Sequence, residues 1–385
     1  MAAIHLPRAM RIGAGALDVL PAALAELGLS APAVLTDPFL AGNGLLERVM
    51  GLLAEAGYGA RAYGEVREDP TVASVSAAVA FVRAGQHDCV IGLGGGSSID
   101  TAKAVAVLAL RDGPMQALKA PHQENAPGLP IVAVPTTAGT GSEATRFTII
   151  ADEANDEKML CAGLAYLPVL AVVDYELTLS KPLRLTADTG IDALTHAMEA
   201  YVSRRANPFS DGLALSAMGL IWPNLRRVCE RPDDRAAREA MMMGSLQAGM
   251  AFSNASVALV HGMSRPIGAH FHVAHGLSNA MLLPAVTAWT APAALGRYAD
   301  CARAMGLGEA GEGDQSVVAR LVEALREVNR DLAVPTPLTY GIAEADWQRL
   351  MPLMAEQALA SGSPANNPRI PDAEEIQQLY REAWA

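Results

Sequence analysis

The chain has 385 residues, 51% apolar and 18% charged, enough for one large or two medium cores and unlike a disordered chain. Its net charge of −12 argues against nucleic acid or an anionic membrane as a main partner, because both call for a basic surface. Cys89, Cys161, Cys229 and Cys301 stand far apart with no CxxC, which fits reduced thiols and excludes a disulfide framework or a zinc knuckle.

The opening MAAIHLPRAMRIG carries no long apolar stretch of the signal-peptide kind, and the apolar run Met159 to Val173 is broken by Pro168 and too short to span a bilayer. A cytoplasmic enzyme with no membrane partner is the expectation. Short apolar runs then alternate with helical patterns. Strands are expected at Ala33 to Thr36, Ala60 to Tyr63, Asp88 to Leu93, Ile131 to Val134 and Leu170 to Val173. Helices are expected at Gly44 to Ala56, Val72 to Ala84 and Ile99 to Leu110, with a local hairpin from Arg146 to Ala151 and Lys158 to Ala162. Such alternation implies a parallel sheet covered by helices. After Lys181-Pro182 no strand pattern is found. Ala187 to Val202, Phe209 to Val228, Arg235 to Ala251 and Val317 to Val328 have helical periodicity, Met241 to Met243 read as core filler, and Ser361 to Pro371 reads as a loop. The fold class expected is an α/β N-terminal domain with a dinucleotide-binding sheet (1–181), followed by an all-α C-terminal domain (182–385).

Three signals in the first half point to a nucleotide. The buried strand at Asp88 runs into Gly94, Gly95, Gly96, Ser97 and Ser98 before a helix. Glycines let backbone approach a pyrophosphate at a helix N-terminus, and either serine is placed to cap that helix. Ser97 breaks the GxGxxG pattern and the run does not follow the first strand, so it is not the ordinary Rossmann fingerprint. A tight strand-to-helix turn is the bland alternative. Next, Pro135-Thr-Thr-Ala-Gly-Thr-Gly-Ser-Glu-Ala-Thr145 sets Thr136, Thr137 and Thr140 at the carboxyl end of a strand, where open α/β sheets bind ligands. Last, Asp37 follows a strand. A carboxylate there accepts bonds from an adenosine ribose and repels a 2′-phosphate, favouring NAD over NADP. An N-cap or turn aspartate explains it equally well.

In the second half Asp192 and His196 are spaced i, i+4 and share one helix face. His261 and His275 each precede a glycine. One aspartate and three histidines make an oxygen and nitrogen set that suits Fe(II), Zn(II), Co(II) or Mn(II) without choosing among them. Singly each histidine is more often structural; four candidates in glycine-punctuated segments favour a metal. His270 and His272, nearby, are read as structural or as supports of the ligands rather than ligands themselves.

The runs GGGSSIDTAK, PTTAGTGSEAT, TGIDALTHAMEAY, AGMAFSNA and HGLSNAMLLP together resemble the iron-containing (group III) alcohol dehydrogenases over essentially the whole chain. The resemblance implies a dehydroquinate synthase-like architecture and hydride transfer between NAD and a small alcohol or aldehyde, with no protein nucleophile. It implies Asp192, His196, His261 and His275 as ligands of Fe(II), with Zn(II), Co(II) or Mn(II) as alternatives. It also implies Gly94, Gly95, Gly96 and Ser97 on the pyrophosphate, Thr136, Thr137 and Thr140 along the cofactor, and Asp37 and Lys158 near its riboses. A dimer or larger homo-oligomer follows from the same likeness.

One departure stands out. Family members often read HGMAH, whereas this chain has His261-Gly-Met-Ser-Arg265, and Ala274 replaces a proline before the last HG. Arg265 cannot shuttle a proton in the useful range. One turn from His261, it is placed to clamp a carboxylate or phosphonate on the substrate, unless it serves in a structural ion pair. Competing expectations are a dehydroquinate synthase-like lyase, which needs more basic residues; a zinc glycerol dehydrogenase, which usually has three protein ligands; a metal-free maleylacetate reductase; and a non-catalytic NAD- or metal-binding protein.

Overall fold

The computed structural model describes residues 2–309 and 311–385. They form two compact units, Ile4–Ser180 and Lys181–Ala385.

In the first unit the strands are β1 (Ala9–Ile12), β2 (Pro32–Leu35), β3 (Arg61–Tyr63), β4 (Cys89–Gly94), β5 (Ile131–Pro135), β6 (Phe147–Asp152), β7 (Glu157–Ala162) and β8 (Leu170–Val173). Six of them make a parallel sheet in the order β1-β8-β5-β4-β2-β3, and β6 pairs antiparallel with β7. The helices are α1 (Leu20–Glu26), α2 (Pro38–Gly42), α3 (Leu45–Glu55), α4 (Val72–Arg83) and α5 (Gly96–Leu108). All six residues of β4 are buried, as expected of a parallel strand covered on both faces. Its side chains divide with period two: Val90 joins a core with Val75, Val82 and Val105, while Ile91 and Leu93 join Leu17, Leu24 and Leu53 on the other face. Each such burial stabilises by about 1.5–3 kcal/mol. A capping box between Thr71 and Ser74 sets the start of α4.

The expected strands and the hairpin are present within one or two residues. Strand β1 was not anticipated from the sequence. It lies at the sheet edge, has no buried residue, and so carries no apolar signature. Helix α5 begins at Gly96, three residues before the expected start, and its N-cap Gly95 makes no side-chain cap bond. Ser97 and Ser98 therefore lie in the first turn and do not cap it, which corrects the expectation for those serines.

The second unit contains α6 (Leu183–Val202), α7 (Pro208–Glu230), α8 (Arg235–Asn254), α9 (Leu259–Phe271), α10 (His275–Thr290), α11 (Leu295–Ala304), α12 (Asp314–Asp331), α13 (Pro337–Tyr340), α14 (Glu344–Ala360) and α15 (Ala373–Glu382). Among the described residues it has no strand. Every residue of α6 from Ile191 to Val202 is buried. A helix covered on all sides is usually apolar throughout, so Asp192, Thr195, His196 and Glu199 inside it mark a site. Met241 and Met242 are buried, and Met241 fills space beside Gly190, where a Cβ would lie 2.9 Å from its Cε. The four cysteines are free and buried. No helix among the described residues is long and apolar enough to cross a membrane.

Candidate active site

Three helices of the second unit bring Asp192, His196, His261 and His275 together. Helix α6 supplies the first two, one turn apart; α9 supplies His261 in its first turn, and His275 is the first residue of α10. One ligand atom from each falls within 4.8 Å of all the others. Asp192 Oδ1 is 3.8 Å from His196 Nδ1, 3.5 Å from His261 Nε2 and 3.8 Å from His275 Nε2. Metal–ligand bonds of about 2.0–2.2 Å in a tetrahedral arrangement separate ligand atoms by roughly 3.3–3.6 Å, so the spacing fits one ion.

The glycines after the histidines explain how the helices approach. A Cβ on Gly276 would sit 2.5 Å from the carbonyl oxygen of Asp188 in α6, and one on Gly262 would sit 2.8 Å from Pro364. The side chains of Asp192, His196 and His261 are 1–5% exposed, but that of His275 is 36% exposed. The ligand set is thus closed on three sides and open at His275.

Burial opposes charge on Asp192, but the imidazoles of His196, His275 and His261 outweigh it and hold its carboxyl far below the ordinary carboxylate range. Burial likewise opposes charge on His261, and there Glu199 and Asp192 prevail and raise its pKa. The field inside the set favours a cation.

Glu199, seven residues after Asp192 on α6, was not singled out from the sequence, although it shares the helix face of the ligands. It accepts the Nδ1–H of His261 at 2.6 Å and the backbone N–H groups of Ala258 and Val260 at 2.9 and 2.6 Å. This turns the Nε2 lone pair of His261 toward the ligand set. His196 stacks on Phe252 with ring centroids 4.3 Å apart. His270 bonds Gln357 at 2.8 Å and His272 ends α9 in a left-handed conformation; neither belongs to the four-residue set.

Arg265 is buried on α9 and its Nη1 donates to Ser363 Oγ at 3.0 Å. Among the described residues it forms no ion pair, so the structural pair considered from the sequence is not found. Burial lowers its pKa to about 10, against the pull of Glu199, and leaves it charged at neutral pH. The segment Ser361 to Pro371 has only one short turn of helix, yet Ser363, Asn366 and Asn367 are buried. Asn366 donates to Ser256 Oγ and the Val257 carbonyl, fixing the segment ahead of α9.

In the first unit, Gly94 ends β4 with φ +148°, and a Cβ there would lie 2.4 Å from Ser98 Oγ. A Cβ on Gly96 would meet Thr140 Cγ2 at 2.8 Å, so the two loops expected at the nucleotide touch. The first-turn N–H groups of α5 have no side-chain cap, which leaves an anion site. Thr136 Oγ1 is buried without a partner among the described residues, an opening for a polar ligand. Lys103, fully buried on α5, locks the loops together: its Nζ donates to Ser142 Oγ and Thr145 Oγ1, both at 2.9 Å, and to the Phe147 carbonyl at 2.7 Å. Ser142 in turn donates to Asp100 at 2.6 Å. None of this network was foreseen. Asp37 caps α2 by accepting from Leu40 N at 2.9 Å through Oδ1, so the capping alternative holds, and its Oδ2 has no partner among the described residues. Lys158 Nζ is 2.8 Å from Asp69 Oδ1.

These features define a metal-dependent oxidoreductase that works with a dinucleotide. The models for iron-containing alcohol dehydrogenase and for the C-terminal part of that family match residues 7–175 and 186–384. The long-chain-alcohol dehydrogenase 1 of Geobacillus thermodenitrificans is 40% identical, with 100% of this chain and 97% of that protein covered. The NAD-dependent methanol dehydrogenase of Bacillus methanolicus is 34% identical, with both chains covered in full. A crystal structure of 1,3-propanediol oxidoreductase superimposes with a TM-score of 0.94 at 34% identity and complete coverage of both chains. The chain belongs to the iron-containing alcohol dehydrogenase family. It is an oxidoreductase acting on CH–OH donors, and Asp192, His196, His261 and His275 are a set that could hold its metal ion.

Proposed function

We propose that this enzyme interconverts a small alcohol and its aldehyde, with Asp192, His196, His261 and His275 holding the metal and catalysing the reaction. The observation that carries the reading is the convergence of those four ligand atoms within 4.8 Å. When bound, the metal supplies Lewis acidity toward the substrate oxygen and NAD accepts or returns the hydride. The protein's part is placement. Glu199 aims His261, Phe252 stacks against His196, and the exposed flank of His275 leaves an approach for substrate. On the nucleotide side, Gly94, Gly95, Gly96 and Ser97 offer backbone N–H groups to the pyrophosphate, Thr136, Thr137 and Thr140 line the cofactor, and Asp37 and Lys158 serve its riboses. The enzyme acts in the cytoplasm as a homodimer or larger assembly, a reading that rests on family likeness.

A finer reading concerns substrate charge. A buried, charged Arg265 with one hydrogen bond and no carboxylate partner favours a substrate that carries an anionic group, since buried guanidinium groups are usually paired.

The test is turnover of NAD with short alcohols, and of NADH with aldehydes including acidic ones, before and after anaerobic chelation. Activity lost on chelation and restored by Fe(II), Zn(II), Co(II) or Mn(II) supports the reading. Full activity in the chelated protein rejects the metal, and a cofactor that binds without turnover rejects the enzyme.

A further inference from the structure

Asn279 is fully buried and stands one helical turn beyond His275 on α10, so the two side chains share a face. Its amide nitrogen lies 2.7 Å from Asp192 Oδ1, 3.1 Å from His261 Nε2 and 3.3 Å from His275 Nε2. Its Oδ1 is buried with no partner among the described residues.

An amide NH2 has two hydrogens and cannot satisfy three acceptors at once. An imidazole nitrogen has one lone pair, which a ligated ion takes. A carboxylate oxygen keeps a second lone pair, so the bond to Asp192 is the one compatible with an ion in the set. Turned over, the amide would set Oδ1 against the Asp192 oxygen at the same short distance, acceptor facing acceptor. The amide is therefore oriented by Asp192, and its own oxygen is left unsatisfied as the cost.

We propose that Asn279 is a positioning residue for the metal: it fixes the coordinating oxygen of Asp192, the one anionic ligand, and ties α10 to α6 in the geometry the ion needs. The inference rests on the metal-centre reading above. Residues that orient metal ligands typically alter affinity by about 10–100-fold when lost.

The experiment compares wild type with Asn279→Leu, which keeps the approximate shape of Asn and removes the donor. Chelated protein is titrated anaerobically with Zn(II) and with Co(II) against a competing chelator, and the visible bands of the Co(II) form are recorded. The expected result is metal affinity weakened about 10–100-fold with altered Co(II) bands, while the far-UV dichroism of the metal-free protein is unchanged. Asn279→Ala, which adds no bulk, carries the same test if the leucine variant does not fold. Affinity within about twofold of wild type with unchanged Co(II) bands would mean that Asn279 only fills space, and tighter binding would mean that its amide competes with the ion; both overturn the proposal. If the wild type itself binds neither metal, the metal-centre reading fails and takes this inference with it.

Discussion

Glu199 and His261 form a carboxylate–imidazole pair at 2.6 Å, and the same carboxylate accepts the N–H groups of Ala258 and Val260. One side chain thereby fixes both the ring of a proposed metal ligand and the backbone that enters its helix. Glu199→Gln retains an acceptor but loses the charge that favours the Nδ1–H tautomer. Metal affinity should fall about 10–100-fold, and the metal-free protein should lose some stability, because the Gln NH2 cannot accept from the buried N–H it would face. Glu199→Ala should also destabilise that form by about 1–3 kcal/mol, because it strands buried donors. Chelator competition and thermal melts of the metal-free protein measure the two effects separately, and an unchanged metal affinity in the glutamine variant would remove Glu199 from the centre.

Gly95 separates a need of the fold from a need of the ligand. A Cβ there would lie 3.5 Å from Thr137, an ordinary contact, and its φ of −74° suits any residue. Gly94, with its positive φ and a 2.4 Å clash, is required by the chain itself. Gly95→Ala should melt like wild type yet bind NAD at least about tenfold more weakly, by intruding on the pyrophosphate. Titration of NAD by nicotinamide-site fluorescence or calorimetry checks this. Unchanged NAD affinity would place the pyrophosphate elsewhere.

What the sequence disclosed, and what it hid, follows from the range of the interactions. Periodicity exposed β2, β4, β5 and β8 because strands buried on both faces must be apolar, and it exposed α6 to α8 because their lengths give the pattern room. It could not show β1, whose four residues are half in solvent. The four candidate ligands were legible because Asp192 and His196 lie one turn apart in an apolar helix and His261 and His275 each precede a glycine. Glu199 and Asn279 were equally polar and on the same faces, but their meaning depends on partners 62 and 87 residues away. Lys103 looked like an ordinary helix lysine until the loop ending at Thr145 closed over it. Asp37 was legible as either a ribose ligand or an N-cap, and the cap bond to Leu40 is present.

Glu143 gives a pH dependence with a definite sign. Burial raises its carboxyl pKa to about 7, with its own backbone N–H and the Lys103 cation pulling the other way. The fold thus favours the protonated acid over the unfolded chain, whose carboxyl titrates near 4.5. The folded state holds more protons between those values, so this group's contribution to stability is intact below about pH 4.5 and is lost as pH rises toward about 7. Glu143→Gln should therefore leave stability unchanged near pH 4.5 and increase it at pH 8 by on the order of 1–3 kcal/mol, less whatever the lost attraction to Lys103 contributes. Paired melts across that range measure it. A difference that shrinks with rising pH would show that the Lys103 contact dominates.

Arg265 bears on substrate choice. Its guanidinium offers five N–H groups and uses one on Ser363, one helical turn beyond His261. If it clamps an anionic substrate, Arg265→Leu should lower kcat/KM for an aldehyde bearing a terminal carboxylate by about 10–100-fold, the worth of a charge-assisted pair. A neutral aldehyde of the same length should change by no more than about threefold, because leucine removes no interaction that such a substrate makes. If Arg265 instead only balances Glu199, whose charge it feels, both substrates should lose equally and metal affinity should shift as well. Arg265→Lys refines the result: it retains the charge but not the fork, so an acidic substrate held in a bidentate manner should still lose most of its advantage. Equal losses for the two aldehydes across both variants would assign Arg265 to the architecture around Glu199 and leave the substrate neutral.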